Sequence, residues 1–209
     1  MKLYDFKMAP NPRRVRIFAA EKGIELDIVP VDLGAKEQME DDFKAINPRL
    51  GVPALELDDG TILTESVAIC RYLESLKPEP ALFGKDALDQ AVVEMWHRRM
   101  ELEGLQPVAD AVRNSVEFFK DRAISGPHDF PQIPELAERG RKRIGLFHAM
   151  LDERLGESEF IAGEHYTVAD IAAMVACDFA KVVKIRVSDE TPNLKRWHDA
   201  VSARPSAGA

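Results

Sequence analysis

Residues 168–183, VADIAAMVACDFAKVV, are apolar on nearly every side of a helix. A helix without a polar face has to be wrapped by other helices, so the back of this chain is expected to build a bundle around it. Its start is written just upstream. In Tyr166-Thr167-Val168-Ala169-Asp170-Ile171, Thr167 is placed to cap the N–H of Asp170, and Asp170 to reach back to the N–H of Thr167. Tyr166 and Ile171 take the two positions of a hydrophobic staple. The motif sets where a buried helix begins and carries no chemistry.

The neighbouring sequence supplies the wrapping. Apolar residues from Leu88 through Val92, Met95, Leu102, Leu105, Val112 and Val116 to Phe119 recur in steps of three, four or seven. Gly104 and Pro107 interrupt that run, which predicts a bend. A loop at 123–134 precedes a further amphipathic helix marked by Leu136, Ile144, Phe147, Leu151 and Leu155. A short helix is expected at about 193–203, and the tail beyond Pro205 is expected to fray.

The front third has another rhythm. Short strands are expected at 2–6, 26–31, 54–57 and 61–63, and helices at 12–23, 36–46 and 65–76. Gly23 stops the first helix. Pro30 lacks a donor N–H, which puts its strand at an edge or near its end. Asp59-Gly60 predicts a tight turn between the last two strands. This order suits a small mixed sheet with helices packed on it. The stretch KPEPALFGKD, with two prolines and a glycine, joins the parts. The expected organisation is an α/β N-terminal domain at 1–77, a linker at 78–86 and an all-α helical C-terminal domain at 87–209.

With 209 residues, 45 % apolar and 31 % charged, the chain can bury a sizeable core. Its formal net charge of −8 argues against a general nucleic-acid binder, which needs a basic face to displace counterions from phosphates. Cys70 and Cys177 form no CxxC pair, and each lies in apolar helical sequence, which predicts buried structural thiols. No histidine has partner spacing that suggests a metal. No signal-peptide core is read at MKLYDFKMAP, and no window approaches ~18 uninterrupted apolar residues, so no membrane span is expected. A reducing cytoplasm is the expected compartment.

Three front-half segments carry candidate chemistry. Val52-Pro53 precedes a strand. An X–Pro bond has a small trans preference, so a cis form can be selected, offering the Val52 N–H and C=O to an extended peptide. A trans proline opening a strand is the alternative. Glu65-Ser66 starts a helix, whose free N–H groups and positive partial charge suit a carboxylate. Ser66 adds a hydroxyl donor, and Glu65 can pair with an ammonium group. The alternative is an ordinary capped helix with an acid in its first turn. In the loop 8–14, the amide of Asn11 and the helix tip behind it can support a thiolate, since a free thiol has a pKa of about 8.5 and needs help to ionise. Asn11 as a plain N-cap before Pro12 accounts for the same residues.

Taken together, APNPRRVRIFAAEKGI, NPRLGVPALELDDGTILTESVAICRYL and YTVADIAA resemble the glutathione transferase family in order and spacing, over nearly the full chain. The resemblance implies a thioredoxin-like N-terminal domain that holds glutathione. It also implies an all-helical domain that shapes an open apolar pocket for a small apolar electrophile or disulfide. By resemblance Pro53 is cis, Val52 pairs with the cysteinyl backbone of glutathione, and Glu65 and Ser66 hold the γ-glutamyl end. A homodimer is implied as well.

Two positions depart from the family. Many bacterial relatives carry a serine at the place of Ala9, and other branches a cysteine; this chain has neither. The loop is similar to the nu-like bacterial branch, which has an asparagine matching Asn11 and a threonine at the place of Ala9. Tyr4, in the first strand, is not the expected substitute. The second departure is Gly51, where relatives carry Lys, Gln, Arg or Thr. Arg13, Arg49 and Lys36 remain as cations for the substrate's carboxylate.

The expected activity is that of a glutathione transferase, in which Asn11 activates the glutathione thiol for attack on an electrophilic or disulfide substrate. The bare Ala9 and Gly51 favour the alternative, a non-catalytic glutathione-binding or interaction protein with the same fold. A thiol oxidoreductase using its own cysteine is disfavoured, because no cysteine lies between residues 1 and 69.

Overall fold

The computed structural model describes all of residues 1–209. The chain divides into two compact units. One is Met1–Pro80 with Ile124–Phe130 and Ala209, and the other is Ala81–Ala123 with Pro131–Gly208.

The first unit contains β1 (Lys2–Asp5), α1 (Pro10–Glu21), β2 (Asp27–Pro30), α2 (Asp41–Ile46), β3 (Ala54–Glu56), β4 (Ile62–Thr64) and α3 (Ser66–Leu76). The four strands form one sheet in the order β2-β1-β3-β4. β2 runs parallel to β1, which requires the α1 crossover, while β3 is antiparallel to both of its neighbours. Pro30 ends an edge strand, where its missing N–H costs no ladder bond. Leu3, Val15, Phe18, Leu55, Ile69 and Leu73 are fully buried and form the core under α1 and α3. Gly23 takes φ 57°, and its N–H donates to Ala20 O at 3.0 Å, closing α1 as expected.

Two local expectations are corrected. α1 begins at Pro10 rather than 12, with Ala9 as a cap that has no side-chain acceptor. The expected helix at 36–46 is a 3₁₀ turn, Glu37–Met39, followed by α2, because Glu40 is extended at φ −78°, ψ 155° between them.

Lys22, just past α1, is buried without solvent contact. Its ammonium group donates to Pro78 O at 3.0 Å and to Pro80 O, and pairs with Glu74 of α3. One buried cation thus ties α1, α3 and the segment at 78–80 together.

The second unit contains α4 (Ala87–Arg99), α5 (Gln106–Arg113), α6 (Pro134–Glu157), α7 (Val168–Ala180) and α8 (Pro192–Ser202). α7 is the all-apolar helix. Only Asp178 and Phe179 along it escape full burial, and α4, α5 and α8 pack around it. The capping box is present, with Thr167 N–H donating to Asp170 Oδ2 at 2.9 Å and Ala169 N–H to Thr167 Oγ1 at 3.3 Å. Asp170 does more than cap. Its Oδ1 also accepts from Ile161 N–H at 3.0 Å and from Trp197 Nε1–H of α8 at 2.9 Å. Burial pushes its carboxyl up, and these donors pull the other way.

The bend at Gly104 and Pro107 takes the form of a π-helical segment, Met100–Leu105, between α4 and α5. Pro107 cannot donate the bond an α-helix needs there, and the widened turn absorbs the gap. Val116 and Phe119 do not continue the helix. Asn114 ends α5 by donating its side chain to Asp110 O at 2.9 Å and accepting Ile133 N–H at 2.9 Å. Phe119 instead lies in a 3₁₀ turn, Glu117–Phe119. The tail does not fray either, since Pro205–Gly208 form a 3₁₀ turn with Ser206 buried.

Candidate active site

Sheet register gathers the three candidate segments. Tyr4 of β1 pairs with Ala54 of β3, and Ala54 pairs with Thr64 of β4. The end of β1, the start of β3 and the end of β4 therefore share one end of the sheet. Pro53 precedes the first residue of β3 at this end, and Glu65 and Ser66 follow the last residue of β4 there, where the chain turns into α3. The loop before α1 leaves from the same end.

The segment before β3 is shaped by Asn47, which sequence reasoning passed over. This buried side chain donates to Gly51 O at 2.7 Å and accepts Arg49 N–H at 3.0 Å. The Asn47-Pro48 pair was the available signal, since Asn side chains bond their own backbone two residues on. Leu50 sits at φ 56°, and the Val52-Pro53 bond is cis. Neither the N–H nor the C=O of Val52 has a hydrogen-bond partner in the chain. A main-chain edge is therefore open at the place where β3 has yet to begin. Gly51 has an ordinary φ, and a Cβ there would meet nothing within 4 Å, so neither turn nor packing demands glycine.

Across from this edge, Glu65 caps α3 with its backbone alone, at φ 68°, ψ 120°. The first helical bond runs from Ile69 N–H to Glu65 O at 3.0 Å, so the amides of Ser66, Val67 and Ala68 point ahead of it unpaired. No side chain caps them, in contrast to the ordinary capped helix weighed above. Ser66 is buried in the first turn, and the Glu65 side chain is exposed.

The third segment is fastened from behind. Arg16 pairs with Asp5 at the end of β1 and donates to Lys7 O at 3.0 Å, while Ala9 N–H donates to Phe6 O at 2.9 Å. Asn11 lies exposed in the first turn of α1, not at its cap, so the plain N-cap reading does not hold. Its Oδ1 faces Arg14 Nη1 at 3.5 Å.

Other nucleophiles are out of play. Tyr4 donates its hydroxyl to Glu56 Oε2 at 2.7 Å, a bond that, with burial, pushes the phenol up to about 12. Cys70 and Cys177 are fully buried, which pushes each thiol up to about 12. No group of three or more His, Cys, Asp and Glu side chains is placed to hold a metal ion. No helix is long and apolar enough to cross a membrane.

The fold class is a thioredoxin-like α/β unit followed by an all-α unit, with an open main-chain edge and two helix tips at one end of the sheet. Residues 9–76 match the glutathione S-transferase N-terminal domain family, and residues 117–205 the C-terminal domain family. Glutathione S-transferase 2 of Saccharomyces cerevisiae is 36 % identical over 99 % of this chain and 87 % of its own length. A crystal structure of Gtt2 from the same yeast superposes with a TM-score of 0.90 at 33 % identity, covering 100 % of this chain and 99 % of that one. A glutathione S-transferase domain-containing protein of Marinobacter aquaeolei VT8 superposes with a TM-score of 0.89 at 36 % identity, covering 99 % of each chain. The chain belongs to the glutathione S-transferase family, and its class of activity is that of a glutathione transferase.

Proposed function

We propose that the cysteinyl backbone of glutathione pairs with the open N–H and C=O of Val52 beside Pro53, as an added strand would. Its γ-glutamyl carboxylate meets the unpaired amides and hydroxyl at Ser66, and its ammonium group meets Glu65. This places the cysteinyl sulfur toward the tip of α1, where Asn11 donates to the thiolate. The supporting observation is the pairless backbone of Val52, at the same end of the sheet as the uncapped start of α3. That is an arrangement an extended peptide with a carboxylate completes.

Ionisation sends the thiol proton to solvent. The thiolate then forms a bond to an electrophilic carbon, whose leaving group departs with the bonding electrons, or to one sulfur of a small disulfide, whose other sulfur leaves as thiolate. The protein supplies grip, orientation and a donor, and the attacking atom belongs to the substrate. A reducing cytoplasm is the proposed compartment, consistent with two unpaired, buried cysteines. A homodimer is proposed too. Leu88, Met95 and Leu102 recur every seven residues along α4 and the π segment, and are 76 %, 45 % and 52 % exposed.

Conjugation of glutathione to a generic aryl halide tests the reading, alongside calorimetry with glutathione. Asn11→Ala is expected to bind glutathione normally and to lose about tenfold to a hundredfold in kcat/KM. Equal activity in both proteins would remove Asn11 from the mechanism. Binding without turnover in the wild type would leave a glutathione-binding protein rather than an enzyme.

A further inference from the structure

The first turn of α1 is unusual in what it withholds. Pro10 and Pro12 flank Asn11 and have no amide hydrogens, and the Ala9 N–H is bonded to Phe6 O at 2.9 Å. The Asn11 N–H is therefore the one main-chain donor this tip presents, and Ala9 brings no hydroxyl. Within Ala9–Pro12, Asn11 is the residue that offers donors beyond the tip, through its main-chain N–H and its side-chain amide.

That amide has a donor end and an acceptor end, and which end faces outward decides whether it helps a thiolate or repels it. Arg14 lies three residues on, on the same side of the helix. It is only 5 % exposed, and its Nη1 is 3.5 Å from Asn11 Oδ1. A guanidinium has donors only, so it accepts the oxygen as neighbour and not the NH₂ group. The Asn11 Nδ2 has no partner in the chain. The Arg14 charge also reaches Cys70, one turn beyond Ser66 on α3, where it opposes the upward push of burial on that thiol. The buried guanidinium thus stands beside Asn11 on α1, and its charge is felt at Cys70 on α3.

We propose that Arg14 is a positioning residue for thiol activation: it holds the Asn11 amide with its nitrogen outward and adds positive potential behind the substrate's sulfur. This rests on the reading of Asn11 given above. An arginine serving only the fold would stabilise α1 without changing how readily a bound thiol ionises.

The test is the pH dependence of thiolate absorbance for bound glutathione, in the wild type, Arg14→Gln and Arg14→Lys, with calorimetry and thermal melts on each. The bound thiol's pKa is expected to rise by about one unit in Arg14→Gln, with glutathione affinity within about twofold of wild type. In Arg14→Lys, which keeps the charge but not the planar fork, about half of that rise is expected. A folded, glutathione-binding Arg14→Gln with the wild-type profile overturns the proposal. If that variant does not fold, the lysine variant decides, and a wild-type profile there overturns it equally. No heat of glutathione binding in the wild type would instead overturn the underlying reading of the site, and the Arg14 proposal with it.

Discussion

Glu65 holds φ 68° without being glycine, a conformation that costs an L-residue about 1–3 kcal/mol. The proposed ammonium contact gives a reason for that strain to persist. Glu65→Gly should therefore raise the unfolding free energy by about 1 kcal/mol in denaturant titration, while raising KM for glutathione at least severalfold. Loss of stability together with an unchanged KM would mean the side chain serves the fold. Asp170 presents the opposite case. Asp170→Ala would strand the donors of Ile161, Thr167 and Trp197 inside α7's surroundings, at a cost of about 3–5 kcal/mol. Thr167→Ala, which removes one cap acceptor, should cost about 1 kcal/mol by the same titration. At this scale legibility followed locality. Thr167 and Asp170 are three apart, so their reciprocal bonds could be read directly. Trp197 is 27 positions from Asp170, and nothing in the sequence announced that bond. Asn11 could be read from the sequence as a candidate donor, but its contact with Arg14 could not.

Among the elements, close helix approach is set by single glycines. A Cβ at Gly104 in the π segment would lie 2.5 Å from Phe147 Cζ of α6. Gly104→Ala should destabilise the fold by about 1–3 kcal/mol, and Phe147→Leu should recover part of that loss in a double-mutant cycle. Additive costs would show that the two positions do not press on each other. The bend itself was visible from Gly104 and Pro107, yet its π-helical form was not, because spacing reports where a helix fails and not how the backbone accommodates it. The helical run was read on to Phe119 because its apolar steps continue. Asn114, whose side chain captures Asp110 O and Ile133 N–H, outweighed that periodicity. The same limit applies to Lys22, an ordinary charged helix end in sequence that three-dimensional contact turns into a buried tie.

For the whole molecule, acid should weaken the fold through His148. This ring is buried on α6, and burial, followed by the nearby His198 charge, depresses its pKa below the usual 6.5. His198 is itself 3.0 Å from Asp178, which also accepts from Lys181 at 2.5 Å. Since the unfolded chain takes up a proton at His148 before the folded one does, its contribution is complete above about pH 6.5 and is lost as pH falls from there toward the depressed value. The melting temperature of the wild type should accordingly fall more between about pH 7.5 and pH 5.5 than that of His148→Gln, and parallel curves would contradict this. The organisation into a sheet-bearing front and a helical back was legible from the change of rhythm near Lys77–Asp86. The grouping of Ile124–Phe130 with the front unit was not, because contacts over such separations leave no mark in local spacing. Everything proposed about activity depends on a peptide lying along Val52 with its sulfur at the tip of α1. A crystal structure with bound glutathione tests this most directly. The cysteinyl N–H and C=O are expected at about 2.9 Å from Val52 O and N, with the sulfur about 3.3 Å from Asn11 nitrogen. Glutathione seated elsewhere, or with its sulfur turned away from Asn11, would contradict it.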